Sequence, residues 1–290
     1  MTIAQKPTSV KAVPWCCIVA LWAPPAAAAQ GVQTAPAVQV GHQTQSAPAE
    51  APQTAPSTAT GGEAIALADR LAQAHGGWQA YRELRYLRFA FVVERDGEER
   101  LVREHLWDKH RGRARVEWKD KEGQACVAVL DLGTRSGDAV RNATLRDETE
   151  REQLLEQAYG YWVNDSYWLV MPFKTRDLGV RLTVEGSEEI DGRIFTKLGL
   201  SFESVGLTPG DRYWVSIDEQ SGRMERWAYI LEGREPPPVV WRWRGWQRVG
   251  GIELSTEKVR EDGTTIRMRD LSAPSSVPQG VLTDPRIALP

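Results

Sequence analysis

The chain has 290 residues, with 36 basic and 39 acidic side chains and a formal net charge of −3. Both signs are interspersed, so there is no basic field of the kind that holds nucleic acid, and a nucleic-acid partner is not expected. Hydrophobic residues make up 41% of the chain, enough for a sizeable core, but no apolar run reaches the ~20 residues of a membrane-spanning helix.

Residues 1–29 read as a secretory signal peptide. Lys6 and Lys11 give a positive start, Val13 to Trp22 form a short apolar run, and Pro24-Pro25 end it. Ala27-Ala28-Ala29 before Gln30 fits the small-residue cleavage pattern. Cys16 and Cys17 follow Pro14-Trp15 rather than the small residues of a lipid-attachment box. The expectation is cleavage after Ala29 and a periplasmic or secreted mature protein. Residues 30–60 are Ala, Pro, Gln, Thr and Val with Glu50 as the single charge. Such a segment buries too little to offset chain entropy and reads as a disordered linker, with His42 a solvated side chain in it. The part after the signal keeps one cysteine, Cys126, in the apolar run "ACVAVL", so no internal disulfide is possible there. A buried small hydrophobe is the expected role for it.

Residues 61–272 form one domain. It opens on a helix, with Ile65, Ala68, Leu71 and Ala72 on one face and Gly76-Gly77 as the stop. The period then switches to two. "RYLRFAFVVERDGEERLVREHLWD" is two strands about Asp96-Gly97, with Leu87, Phe89, Phe91 and Val93 on one face. In "GRARVEWK", Ala114, Val116 and Trp118 oppose Arg113, Arg115, Glu117 and Lys119, and "QACVAVLD" follows. "RDETEREQLLEQAYGYW" then reads as a helix, acidic at its start, with an apolar stripe of Leu154, Leu155, Ala158, Tyr161 and Trp162. It runs into the aromatic stretch "YWVNDSYWLVMPFK", where Pro172 should force an extended exit. Only strands follow, turning at Asp191-Gly192, Ser221-Gly222, Gly250-Gly251 and Asp262-Gly263. That gives about nine or ten strands, then a Pro- and Ser-rich tail, residues 273–290, expected to be flexible. One face of each strand is charged. The other needs covering, and helical segments at 62–84 and 148–170 are available to cover it.

Chemistry is sparse. His75, His105 and His110 are the domain's histidines, and "HLWDKH" sends His105 and Asp108 to opposite faces, so no metal site is expected. There is no Gly-x-Ser-x-Gly elbow, and "HGGW" and "VGGIEL" lack phosphate-loop or dinucleotide spacing. No catalytic residue and no cofactor are expected. Ten of the twelve Trp lie in the domain, and "VVWRWRGW" alternates Trp241 and Trp243 with Arg242 and Arg244. Such aromatics either fill a core or line a cavity for an apolar ligand.

The blocks "AHGGW", "HLWDKHRGRARVEW", "YWVNDSYWLVMPFKTRDLGV", "DRYWVSIDEQSGRMERWAYI" and "GWQRVGGIELSTEKV" resemble an exported bacterial family. That family looks like a distant branch of the LolA/LolB-type lipoprotein carriers. The resemblance covers about residues 62–270. It implies a mainly β (α+β) fold, an unclosed, strongly curved antiparallel β-barrel with a helical lid, and binding rather than catalysis. The ligand expected on this reading is a lipid or lipoprotein acyl group. Phe89, Phe91, Trp118, Tyr161, Trp162, Trp168, Leu169 and Phe173 are the candidate cavity and lid residues. An envelope protein is the other partner to consider. The alternative is a sensor or interaction module of the same fold with a filled interior.

Overall fold

A computed structural model of the chain describes residues 59–202 and 211–289. The segments expected to be a signal peptide, residues 1–29, and most of a linker, residues 30–58, lie outside the described residues. The first elements are β1 (Ala59–Thr60), α1 (Gly62–Ala74) and α2 (Gly77–Glu83). A meander follows: β2 (Tyr86–Arg95), β3 (Glu98–Asp108), β4 (Arg113–Lys119), β5 (Ala125–Asp131), β6 (Gly137–Arg141) and β7 (Thr144–Leu145). Then come α3 (Glu148–Val170) and a 3-10 turn (Met171–Phe173). The second meander is β8 (Val180–Ile190), β9 (Arg193–Phe202), β10 (Arg212–Asp218), β11 (Met224–Ile230), β12 (Val239–Val249), β13 (Ile252–Arg260) and β14 (Thr265–Ser272).

The fourteen strands among the described residues form one sheet, paired antiparallel throughout, in the order β1-β8-β9-β10-β11-β12-β13-β14-β2-β3-β4-β5-β6-β7. Strand β14 pairs with β2 and joins the two meanders, while β1 and β7 end the sheet without meeting each other. The barrel is therefore unclosed. Register shifts mark β2–β3, β8–β9, β10–β11 and β14–β2. Such bulges bend the bulged strand and add twist, which curls the sheet around its helices.

The expected turns are present. Asp96-Gly97 and Asp191-Gly192 each have positive φ at both residues, the geometry that two-residue hairpins favour. The strand count exceeds the expected nine or ten. The difference includes the two-residue strands β1 and β7 and the short β6, whose sequences carry too few alternating positions to register as strands.

The concave face carries the main core. Helix α1 buries Ala64, Ala68, Leu71 and Ala72 against it, whereas Ile65 is exposed. The buried stripe is thus turned toward alanines, which lets the helix sit close. The two glycine blocks meet here. A Cβ on Gly76 would lie 2.6 Å from the Gly251 carbonyl oxygen, and the Glu253 amide donates to the His75 carbonyl at 2.8 Å. "AHGGW" and "VGGI" are a packing joint between the α1–α2 corner and the β12–β13 turn.

The tail departs from expectation. It folds back on the convex face, where Val281 and Leu282 are buried with Tyr86 and Leu106. Arg115, only 2% exposed, donates to the carbonyls of Val281, Asp284 and Pro285 at 3.1, 3.4 and 3.3 Å, and to Glu117 at 2.6 Å. A Pro/Ser-rich composition gave no sign of this, because the anchor belongs to a distant strand. Arg115→Ala should lower stability by about 2–3 kcal/mol, through charge-assisted bonds lost and carbonyls left unpaired. It should also expose the tail to protease. An unchanged denaturation midpoint with an intact tail would contradict this.

Candidate functional site

Helix α3 lies across the concave face. Asp147 caps it, accepting from the Glu150 amide at 3.0 Å, with Glu148 and Glu150 in the first turn. The helix passes through Gly160 without a break. Pro172 then falls inside the 3-10 turn, with Met171 still helical, so the exit is not extended as expected. A proline early in a helical turn loses no hydrogen bond, which permits this.

The two halves of α3 cover different parts of the sheet. Leu154, Leu155 and Ala158 pack with Ala114, Val116, Trp118, Cys126, Ala128, Leu130 and Ala139 on β4, β5 and β6. Cys126 is buried there, and burial pushes its thiol above the ordinary range. Trp168, Leu169 and Val170, with Met171 and Phe173, join the main core. Trp162 packs against both clusters.

The eight candidate residues therefore fall into two groups. Phe89, Phe91, Trp168, Leu169 and Phe173 are buried in the main cluster. Trp118 lies in the second, with Tyr161 edge-on to it at 5.6 Å between centroids. Trp162 links the groups, edge-on to Trp107 at 5.2 Å. Phe173 stacks on Tyr81 of α2 at 4.5 Å. Trp168 sits 5.2 Å from Trp241 and 6.2 Å from Trp243.

A charged cluster that the sequence reading missed lies beneath the middle of α3. Asp165 is completely buried. Arg103 on β3 grips it with two bonds, Nε to Oδ2 at 2.7 Å and Nη2 to Oδ1 at 2.6 Å. His105 Nε2 lies 2.8 Å from Asp165 Oδ2, and Asn164 donates to Oδ1 at 2.7 Å. The Arg103 guanidinium is sandwiched by Tyr161 and Phe91, 4.2 and 5.1 Å from their ring centres. Burial alone would raise the Asp165 carboxyl, but Arg103 and His105 outweigh it and hold the group below the usual carboxylate range. A carboxylate can only accept, so His105 Nε2 carries the hydrogen. The signal was present in the sequence: Asp165 is three or four residues from Tyr161, Trp162, Trp168 and Leu169, on their side of the helix.

Both buried histidines are held neutral. Burial lowers His105 despite the pull of Asp165. Burial, helped by Arg223, lowers His75 to about 3. A cation near a helix C-terminus is ordinarily favourable, but His75, although it caps α1, is held neutral by burial. His75 lies 4.3 Å from Trp246 and accepts the Met224 amide at 3.4 Å. A folded-state pKa below the unfolded value gives stability that is complete above the unfolded value and is lost as pH falls toward the folded one. Stability should therefore decline below about pH 6.5, by up to about 1.4 kcal/mol per pH unit for each histidine. Denaturation curves between neutral and mildly acid pH check this, and a flat profile would contradict it.

Four indole nitrogens, those of Trp118, Trp162, Trp241 and Trp243, are buried without a hydrogen-bond partner among the described residues. By contrast, the half-buried Trp78 donates to Asp69 at 2.9 Å and Trp214 to Glu185 at 2.5 Å. The unpartnered donors belong to the aromatic interior. A surface cleft of about 490 Å3 lies elsewhere, lined by the tail and by Tyr86, Asp108, Arg111 and Arg113. None of the eight candidates lines it. Among the described residues, no three His, Cys, Asp or Glu side chains converge as a metal-ligand set. No described helix is long and apolar enough to cross a membrane.

No protein-family model and no curated protein matches the chain. Among solved structures it is similar to a LolA superfamily protein from Nitrosomonas europaea, at 10% identity and a TM-score of 0.43, covering 76% of this chain and 97% of that one. It is also similar to a DUF1329 family protein from Desulfovibrio piger, at 11% identity and a TM-score of 0.39, covering 76% and 96%. The lipoprotein LppX of Mycobacterium tuberculosis is a further neighbour, at 14% identity and a TM-score of 0.27, covering 74% and 99%. These likenesses concern architecture and say nothing of a ligand or an activity.

Proposed function

We propose that the chain is an exported envelope protein that binds an apolar ligand, a lipid or a lipoprotein acyl group, between the concave sheet and α3. The observation that supports it is the set of four buried indole N–H groups without acceptors. A Trp placed only for packing normally has its N–H within reach of a partner, and each unsatisfied donor costs about 1–3 kcal/mol. An acyl ligand meets both sides of this interior, its chain against Phe89, Phe91, Trp168, Leu169 and Phe173, its carbonyl oxygens against the indoles.

In this reading α3 is a lid, and the Arg103–His105–Asp165 cluster is what holds it down. The same cluster does no chemistry, because each charged group is engaged in the hold. The role is binding, with no cofactor, in the periplasm or outside the cell after removal of residues 1–29. An envelope protein that delivers or receives the ligand is the natural partner. The second reading, an interaction module with a filled interior, draws support from the complete burial of Leu169, Val170 and Met171.

Native mass spectrometry of the protein purified from the exported fraction tests the proposal. The expected result is a lipid-sized adduct that organic solvent removes and that lipid vesicles restore. Bare chain mass in every preparation, with no uptake from vesicles, favours the filled module.

A further inference from the structure

The charged face of each strand is expected to meet water. Lys258 does the opposite. It is completely buried, opposite Trp243 of β12 and Ile266 of β14 in the strand register, and both neighbours belong to the main core. A fully buried lysine is rare unless it is paired. The other buried basic residues have carboxylates, Arg103 with Asp165 and Arg115 with Glu117. Among the described residues, no carboxylate lies within ion-pair distance of Lys258. Its Nζ donates to the Ser255 carbonyl at 2.6 Å and lies 4.7 Å from the Trp243 ring centre. An ammonium has three hydrogens to donate, so this one protein acceptor leaves it short.

Its surroundings are donors as well. The indole nitrogens of Trp241 and Trp243 are buried and unpartnered, and both rings are at least nine-tenths buried. The Arg260 guanidinium lies 5.3 Å from the Trp241 ring centre, with its own bonds going to Asp262 and Thr264. Trp168 of α3 closes over both indoles. The interior thus holds a lysine amine whose protein acceptor is the Ser255 carbonyl, on the same face as two indole N–H groups that have no acceptor among the described residues. An arrangement of that polarity is complementary to an anion.

We propose that Lys258, with the indole N–H groups of Trp241 and Trp243, forms the head-group site for an amphiphile bearing one anionic group, a carboxylate or a phosphate, whose acyl tail lies along the concave aromatic face. The inference rests on the reading of the interior as an apolar-ligand site, and adds that the ligand is acidic. Burial lowers the Lys258 pKa well below its ordinary value, so the amine gives up its proton easily in the ligand-free state. An acid that arrives protonated transfers its proton to the amine. One O–H bond breaks, one N–H bond forms, and the product is a carboxylate–ammonium pair with no net charge brought inside.

The test compares cis-parinaric acid, which is intrinsically fluorescent, with its methyl ester, on the unmodified protein and on Lys258→Met. A charge-assisted bond in a dry site makes the acid bind about tenfold or more tightly than the ester. Lys258→Met should abolish the preference for acid over ester, because the charge-assisted bond is lost and only the apolar contacts remain. The variant should fold, because Met fills similar space without a buried amine. Competition by lysophosphatidic acid but not by monoacylglycerol assigns the site to phosphate heads as well; competition by neither confines it to carboxylates. Equal binding of acid and ester, or an acid preference that survives in Lys258→Met, overturns the head-group site and leaves the apolar-ligand reading standing. Failure of both acid and ester to bind overturns the apolar-ligand reading itself, and the head-group site with it.

Discussion

Asp165→Ala is expected to lower stability by about 3–5 kcal/mol, because it strands the buried Arg103 guanidinium without its counter-charge. The loss should be concentrated in α3. Asp165 receives two bonds from Arg103 and one from His105, and these are the polar ties between the middle of the helix and the sheet. Hydrogen exchange should show the amides of α3 opening at lower cost than those of β2 and β3. The double change Arg103→Met with Asp165→Leu should recover most of the stability, since replacing a buried ion pair by apolar side chains is often neutral or stabilising. That recovery separates a removable hold from a site where any change wrecks the core. A cost below about 1 kcal/mol for Asp165→Ala would mean that the cluster does not hold the helix.

Trp168→Ala is the second large effect. The ring is buried among Trp241, Trp243 and the main core, so truncation should cost roughly 3–5 kcal/mol if these aromatics serve only as packing. If the interior is a ligand site, the empty form is already less tightly packed, and the change should weaken binding of a fatty-acid probe more than it weakens folding. A denaturation curve and a binding isotherm on both proteins distinguish the two. A large stability loss in the variant, with no probe binding by either protein, would identify the aromatics as core.

The strand segments were legible because alternation is a local signal. Leu87, Phe89, Phe91 and Val93 declare a buried face within one segment, and turns such as Asp96-Gly97 and Asp262-Gly263 mark where the chain reverses. Trp241 and Trp243 alternate with Arg242 and Arg244 in sequence, and in the structure the two Trp are buried and the two Arg exposed. What could not be read was anything that depends on pairing across the sheet. Arg103 and Asp165 are 62 positions apart, and neither carries a local mark of the other. Asp165 looked like a spacer between aromatics, although its helical position placed it among them. Lys258 shares the parity of Ile252 and Leu254 on β13, so alternation puts it on their buried face and only its charge argued for water. The tail departs for a related reason: its composition predicts fraying, and the Arg115 anchor that overrides it lies 166 positions before Val281. His75 stands at the end of α1 with no local mark of burial, and the packing of Gly76 against Gly251 draws it into the core.

The proposed function requires that an apolar ligand enter between α3 and the concave face. Energy transfer from the interior tryptophans to bound cis-parinaric acid measures this directly, because transfer requires the probe to lie close to the rings. The expected result is saturable transfer at one probe per chain, reversed by an unlabelled fatty acid and weakened in Trp168→Ala. Transfer that is absent, or that rises without saturation as the probe simply adsorbs to the surface, would contradict it.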